Sequence, residues 1–141
     1  MSRFVVDASI AIKWVIEEED TPAALKLLEA HLLAPDLLVA ECANILCKKV
    51  QRKELSRNQA LLAARLLEGA DLELLPTRSL LGSATNLAIQ LDHPAYDCLY
   101  LALAAASDCQ FITADQRLLR KLARGNGLRG MTLSLAEAAT S

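Results

Sequence analysis

The chain has 141 residues, of which 53% are hydrophobic and 23% charged, with a formal net charge of −2; that is enough apolar material for one core without disulfide staples, and residues 1–141 are expected to form a single domain. No run of about 20 apolar residues occurs, and the N-terminus lacks a basic region followed by an apolar stretch, which argues against a membrane span or a secretory leader and for a cytoplasmic protein. The charge balance gives no general pull toward nucleic acid, and Cys42, Cys47, Cys98 and Cys109, with no CxxC spacing among them, are expected as buried thiols of a reducing compartment.

Phe4-Val5-Val6 reads as a short strand, and Asp7-Ala8-Ser9 leads from it into a helix through Ile10, Ile12, Trp14, Val15 and Ile16. Thr21 is placed to cap a helix with Pro22 at its first position, running through Leu25, Leu27, Leu28 and Leu32. Pro35-Asp36 opens the next helix, in which Leu37, Leu38, Ile45, Leu46 and Val50 recur at helical spacing to about Lys53. Ser56 caps a further helix through Leu61, Leu62, Leu66 and Leu67, which Gly69 ends. Leu72 to Leu75 is a strand candidate, Ser79 a cap for a helix to Leu91, and His93-Pro94 a break. Tyr96 to Ala106 predicts a buried helix, Gln110 to Thr113 a strand, and Asp115 to Arg124 a helix. Gly125, Gly127 and Gly130 mark a loop before a short strand near Met131 to Leu133 and a last helical turn. Strands alternating with helices imply right-handed crossovers and a parallel sheet covered on both faces.

Four acids stand out against this pattern. Asp7 and Asp115 each follow a strand and open a helix, Asp97 lies in the first turn of its helix, and Glu41 falls within or beside the apolar stripe of its own helix, between Leu37 and Ile45. Taken singly each has an ordinary explanation: a cap, a helix-dipole partner, or a carboxylate in an ion pair or at the stripe's solvent edge. In a parallel sheet, however, all four fall on one rim. Two unit charges about 4 Å apart repel by roughly 4 kcal/mol at an effective dielectric of 20, so four gathered carboxylates call for protonation or a hard divalent cation such as Mg²⁺ or Mn²⁺. No serine, cysteine or histidine triad is visible, and His31 and His93 are isolated, with surface or packing roles expected.

The segments VVDAS, PDLLVAECANIL, AYDCLYLALA and FITAD resemble, in order and spacing, the four signatures of PIN-domain ribonucleases, and the short single-domain form is similar to VapC-like toxins of toxin-antitoxin pairs. The resemblance implies a three-layer α/β/α fold with a mostly parallel central sheet of about five strands. It implies that Asp7, Glu41, Asp97 and Asp115 hold one or two Mg²⁺ or Mn²⁺ ions, with Thr113, Ser9 and Asn44 in supporting roles. The implied activity is hydrolysis of RNA phosphodiester bonds to 5′-phosphate and 3′-hydroxyl ends.

Lys48, Lys49, Arg52, Lys53 and Arg57 form one basic stretch, and Arg117, Arg120, Lys121, Arg124 and Arg129 another. Arg117, Arg120 and Lys121 are the better RNA candidates, because their helix starts at the acidic rim. Leucines on more than one face of the helical pair between Pro35 and Glu68 suggest surface left for another subunit. The resemblance further implies a homodimer and a cognate antitoxin whose C-terminal segment places a basic side chain against the acids; no direct DNA binding by this chain and no membrane association are expected. The competing reading is a non-catalytic binding module of the same fold that docks RNA or a protein partner. A phospho-acceptor receiver domain is disfavoured, since it needs an adjacent acidic pair after the first strand.

Overall fold

The computed structural model describes residues 2–124 and 130–140. Five strands, β1 (Arg3–Val6), β2 (His31–Pro35), β3 (Glu73–Leu75), β4 (Gln110–Thr113) and β5 (Thr132–Ser134), form one sheet in the order β3-β2-β1-β4-β5, every pair parallel. Among the described residues the α-helices are α1 (Ala8–Ala11), α2 (Thr21–Lys26), α3 (Leu37–Gln51), α4 (Arg57–Glu68), α5 (Leu81–Leu91), α6 (Ala95–Ala106), α7 (Gln116–Ala123) and α8 (Leu135–Ala139). None is long and apolar enough to cross a membrane.

Alternation along the strands makes the layers. Val5, Leu33 and Phe111 belong to a core shared with α3 to α7, whereas Val6, Leu32 and Ile112 belong to one shared with α2 and α8. Each fully buried Val, Leu or Ile contributes about 1.5–3 kcal/mol of hydrophobic stabilisation, so a strand sealed on both faces is a strong anchor. Tyr100 on α6 lies stacked on Phe111 of β4, with ring centroids 5.3 Å apart and planes 13° from parallel.

Several boundaries differ from the sequence expectations. The helix foreseen through Leu32 stops at Lys26; a 3₁₀ turn follows at Leu27–Glu29, Ala30 turns extended, and His31–Pro35 is a central strand. A strand buried on both faces reads as a continuous apolar run, so its leucines merge with those of the preceding helix. Thr21 is the first residue of α2 rather than its cap; its hydroxyl accepts the Glu18 N–H at 2.8 Å and faces the Ile16 carbonyl. Ser79 lies inside a 3₁₀ turn, Arg78–Leu80, that precedes α5, and makes no cap. Ser56 does cap α4, in a reciprocal capping box with Gln59. Of the four cysteines, Cys42 and Cys98 are buried but Cys47 is exposed, because it lies on the outward face of α3. Gly125, Gly127 and Arg129 lie outside the described residues.

The sheet order has one consequence for function. The chain moves from β1 outward to β2 and β3, then returns to β4 on the other side of β1. The crevice beyond the C-terminal ends of β1 and β4 is therefore the topological switch point, where parallel α/β sheets open to ligands.

Candidate active site

Asp7 stands at that crevice as the N-cap of α1, its backbone extended (φ −100°, ψ 178°). Its Oδ1 accepts the Ile10 N–H at 3.2 Å and the Ser9 hydroxyl at 2.5 Å, while Oδ2 accepts the hydroxyl of buried Thr113 at 2.7 Å. Thr113 Oγ1 also accepts the Asp115 N–H at 3.0 Å, so one hydroxyl ties the two strand-end acids together. Asp115 caps α7, Oδ1 taking the N–H groups of Arg117 (2.9 Å) and Leu118 (3.2 Å).

The other two acids arrive on helices. Pro94 sets the entry to α6, placing Asp97 in its first turn, where the helix dipole favours a negative charge. Asp97 Oδ2 lies 2.6 Å from Nε2 of His93. Glu41 sits in the second turn of α3 and accepts the Tyr100 hydroxyl at 2.5 Å. All four acids, with Ala8, Ser9, Asn44, Ile45 and Ala114, line one cleft of about 340 Å³.

The electrostatics follow from crowding carboxylates in a half-dry cleft. Burial pushes Asp7 up to about 6, against the pull of its three hydrogen bonds and with help from the charge of Asp97. Glu41 is raised by burial and by Asp97, opposed by the Tyr100 bond. Burial also raises Asp97; the His93 bond counters this and Asp115 adds to it. The leading influences on these three acids include no lysine or arginine. A set of oxygen donors that repel one another, with no lysine or arginine among their leading influences, fits a hard divalent cation. A ring nitrogen of His93 and carboxylate oxygens of Asp97 and Asp115 lie within 4.8 Å of one another, so this corner of the cleft is the most crowded with donor atoms among the described residues.

The sequence-derived residues therefore separate into two groups. Asp7, Glu41, Asp97, Asp115, Ser9 and Asn44 line the cleft, and Thr113 braces it from beneath. Arg117, Arg120 and Lys121 lie along α7 outside it; Arg117 contributes only its backbone N–H to Asp115, and Lys121 Nζ donates to the Asp92 carbonyl at 2.5 Å. His31 sits half-exposed beside Glu73 at the surface, as expected. His93, for which the sequence predicts a surface or packing role, is instead hydrogen-bonded to Asp97, and Tyr100, inside the helix predicted as buried, holds Glu41. His93 lies four residues before Asp97, about one helical turn, and that spacing was its available signal; Tyr100 meets Glu41 across 59 residues, where local spacing carries none.

A family model for the PIN domain matches residues 4–125. The structure is similar to that of a Pyrobaculum aerophilum protein, with a TM-score of 0.75 at 18% identity over 99% of this chain and 88% of that one. A chain of a toxin-antitoxin complex from Klebsiella pneumoniae aligns with a TM-score of 0.66 at 12% identity, covering 96% and 98%. Mycobacterium tuberculosis VapC20, a toxin that cleaves the sarcin-ricin loop, aligns with a TM-score of 0.59 at 14% identity, covering 76% of this chain and 85% of that one. No curated protein matches.

Proposed function

Because the chain belongs to the PIN domain family, we propose that it is a divalent-cation-dependent endoribonuclease and the toxin of a toxin-antitoxin pair. The observation that carries this reading is the convergence of Asp7, Glu41, Asp97 and Asp115, from four separate segments, on one cleft at the switch point of the sheet. These four would hold Mg²⁺ or Mn²⁺. The ion supplies charge that offsets the negative charge developing on phosphate oxygens and makes water more acidic.

The chain's own residues do the rest. Ser9, Thr113 and Tyr100 spend their hydroxyls on Asp7 and Glu41, so the carboxylates are fixed before substrate arrives and need not reorganise during the reaction. Asn44, one turn beyond Glu41 and exposed, offers an amide to the substrate at the mouth of the cleft. Water attacks phosphorus and the bond to the 3′ oxygen breaks, leaving 5′-phosphate and 3′-hydroxyl ends. Arg117 and Arg120, exposed on the helix that Asp115 caps, together with Lys121, would steady the RNA backbone beyond the cleft.

Partners follow the same reading. Leu61, Leu62 and Leu66 on α4 are each more than half exposed, and Leu38, Val39, Cys42, Leu46, Leu67 and Leu74 line an apolar groove of about 250 Å³ between α3, α4 and β3. Apolar surface of this kind suits a homodimer partner and an antitoxin segment. The likeness to a chain of a toxin-antitoxin complex supports the antitoxin.

The test is cleavage of labelled total RNA by purified protein with Mg²⁺ or Mn²⁺, with chelator, and with an Asp7→Asn, Asp97→Asn double variant. Discrete fragments that require both the metal and the two acids are expected. No cleavage by folded, metal-supplied protein would transfer the reading to a non-catalytic module that docks RNA or protein.

A further inference from the structure

We propose that His93 is a positioning residue for Asp97: its ring donates Nε2–H to Oδ2, which turns the other carboxylate oxygen toward the cation without the ring itself becoming a ligand. The inference rests on the cation-binding reading of the cleft and adds a fifth side chain to it.

Three observations carry it. His93 is 7% exposed, and its Nε2 lies 2.6 Å from Asp97 Oδ2, a charge-assisted hydrogen-bond distance. Its Nδ1 is buried with no partner among the described residues. An unmet lone pair is tolerated more readily than an unmet buried N–H, so the hydrogen belongs on Nε2, facing Asp97. The backbone also holds the ring in place. Asp92 takes the left-handed conformation (φ 50°) that ends α5, the His93 N–H donates to the Ala88 carbonyl, and Pro94 fixes the entry to α6. His93 and Asp97 thus face each other across a stiff corner, one turn apart.

The chemistry resembles a familiar device read in reverse. Metal-bound histidines are usually aimed by a carboxylate; here a histidine aims the carboxylate. Asp97 needs this more than Asp7 or Asp115, because backbone N–H groups already hold those two and Asp97 sits against the charge of Asp115.

The experiment compares the full chain with His93→Phe, which fills similar space without a donor, and His93→Gln, whose amide N–H can reach the same oxygen. Mn²⁺ affinity is measured by titration calorimetry, and folding by the melting temperature in chelator. Loss of outer hydrogen-bond partners typically weakens metal binding about 10–100-fold, so that loss is expected for His93→Phe, with His93→Gln within about threefold of wild type. Wild-type Mn²⁺ affinity in a folded Phe variant would overturn the inference. So would coupling of bound Mn²⁺ to an imidazole nitrogen in pulsed electron paramagnetic resonance, which would make the ring a ligand. Should the Phe variant not fold, nitrogen-15 spectra of the metal-free wild type decide: a hydrogen on Nε2 upholds the arrangement, and a bare Nε2 with the hydrogen on Nδ1 overturns it. If the wild type binds no Mn²⁺, the cation reading fails on its own, and the ring-carboxylate bond is judged by that tautomer.

Discussion

The hydroxyl of Thr113 donates to Oδ2 of Asp7 at 2.7 Å, across 106 residues of sequence and between the ends of two neighbouring parallel strands. The contact exists because β1 and β4 pair with Val6 opposite Ile112, which brings the next residues of both strands to the same edge. It turns a sheet register into a fixed carboxylate.

Replacing Thr113 with valine keeps the shape and removes both the donor to Asp7 and the acceptor of the Asp115 N–H. A hydrogen bond to a charged group is worth about 1.5–3 kcal/mol, and that much stability should be lost at pH 8 in chelator, measured by urea unfolding. Thr113→Ser should recover most of it. Equal stability of the valine variant and wild type would show that the hydroxyl does not hold Asp7.

Tyr100→Phe is a cleaner probe of the cleft than of the fold. The ring stays stacked on Phe111, and only the bond to Glu41 is lost. RNA cleavage should fall by about 10-fold or more, since Glu41 then swings free, while stability changes by about 1 kcal/mol. A variant as active as wild type would remove Tyr100 from the site.

The metal-free protein should become more stable on mild acidification. Asp7 is raised from 3.8 to about 6 in the folded chain, so the folded state holds its proton more tightly than the unfolded one. The resulting penalty is complete above about pH 6, shrinks as pH falls through that value, and is gone below 3.8, the unfolded value. Two pH units correspond to about 3 kcal/mol as an upper figure. Asp7→Asn should therefore raise the melting temperature in chelator at pH 7.5 and lose that advantage at low pH. The difference between variant and wild type, scanned over pH, isolates Asp7 from the other groups.

Added Mn²⁺ should stabilise the wild type by mass action, about 2.7 kcal/mol at a free concentration 100 times the dissociation constant. Asp97→Asn should abolish most of the shift. Calcium or magnesium tested alongside gives the preference of the site, and an equal shift in the Asn variant would place the ion elsewhere.

Local patterns made much of the site legible. Asp7 and Asp115 each follow an apolar strand and cap a helix, a signal carried by residues within a few positions of one another. Glu41 was conspicuous as an acid in an apolar stripe, and its answer, Tyr100, was not, because the pair is separated by 59 residues and joined only when α3 and α6 share a face of the sheet. The charged patch on α7 was equally visible, yet its position outside the cleft depends on how the helix leaves β4.

By itself the sequence determined most of the alternation of strands and helices, the capping roles of Asp7, Ser56 and Asp115, and the acids that follow β1 and β4, since these follow from hydrophobic period and hydrogen bonding within a turn. Tertiary structure alone decided that His31–Pro35 is a strand, that β1 lies between β2 and β4, and that Thr113 reaches Asp7 and Tyr100 reaches Glu41. Strand order and register are set by which apolar faces bury together over long chain separations, and no local spacing encodes that choice.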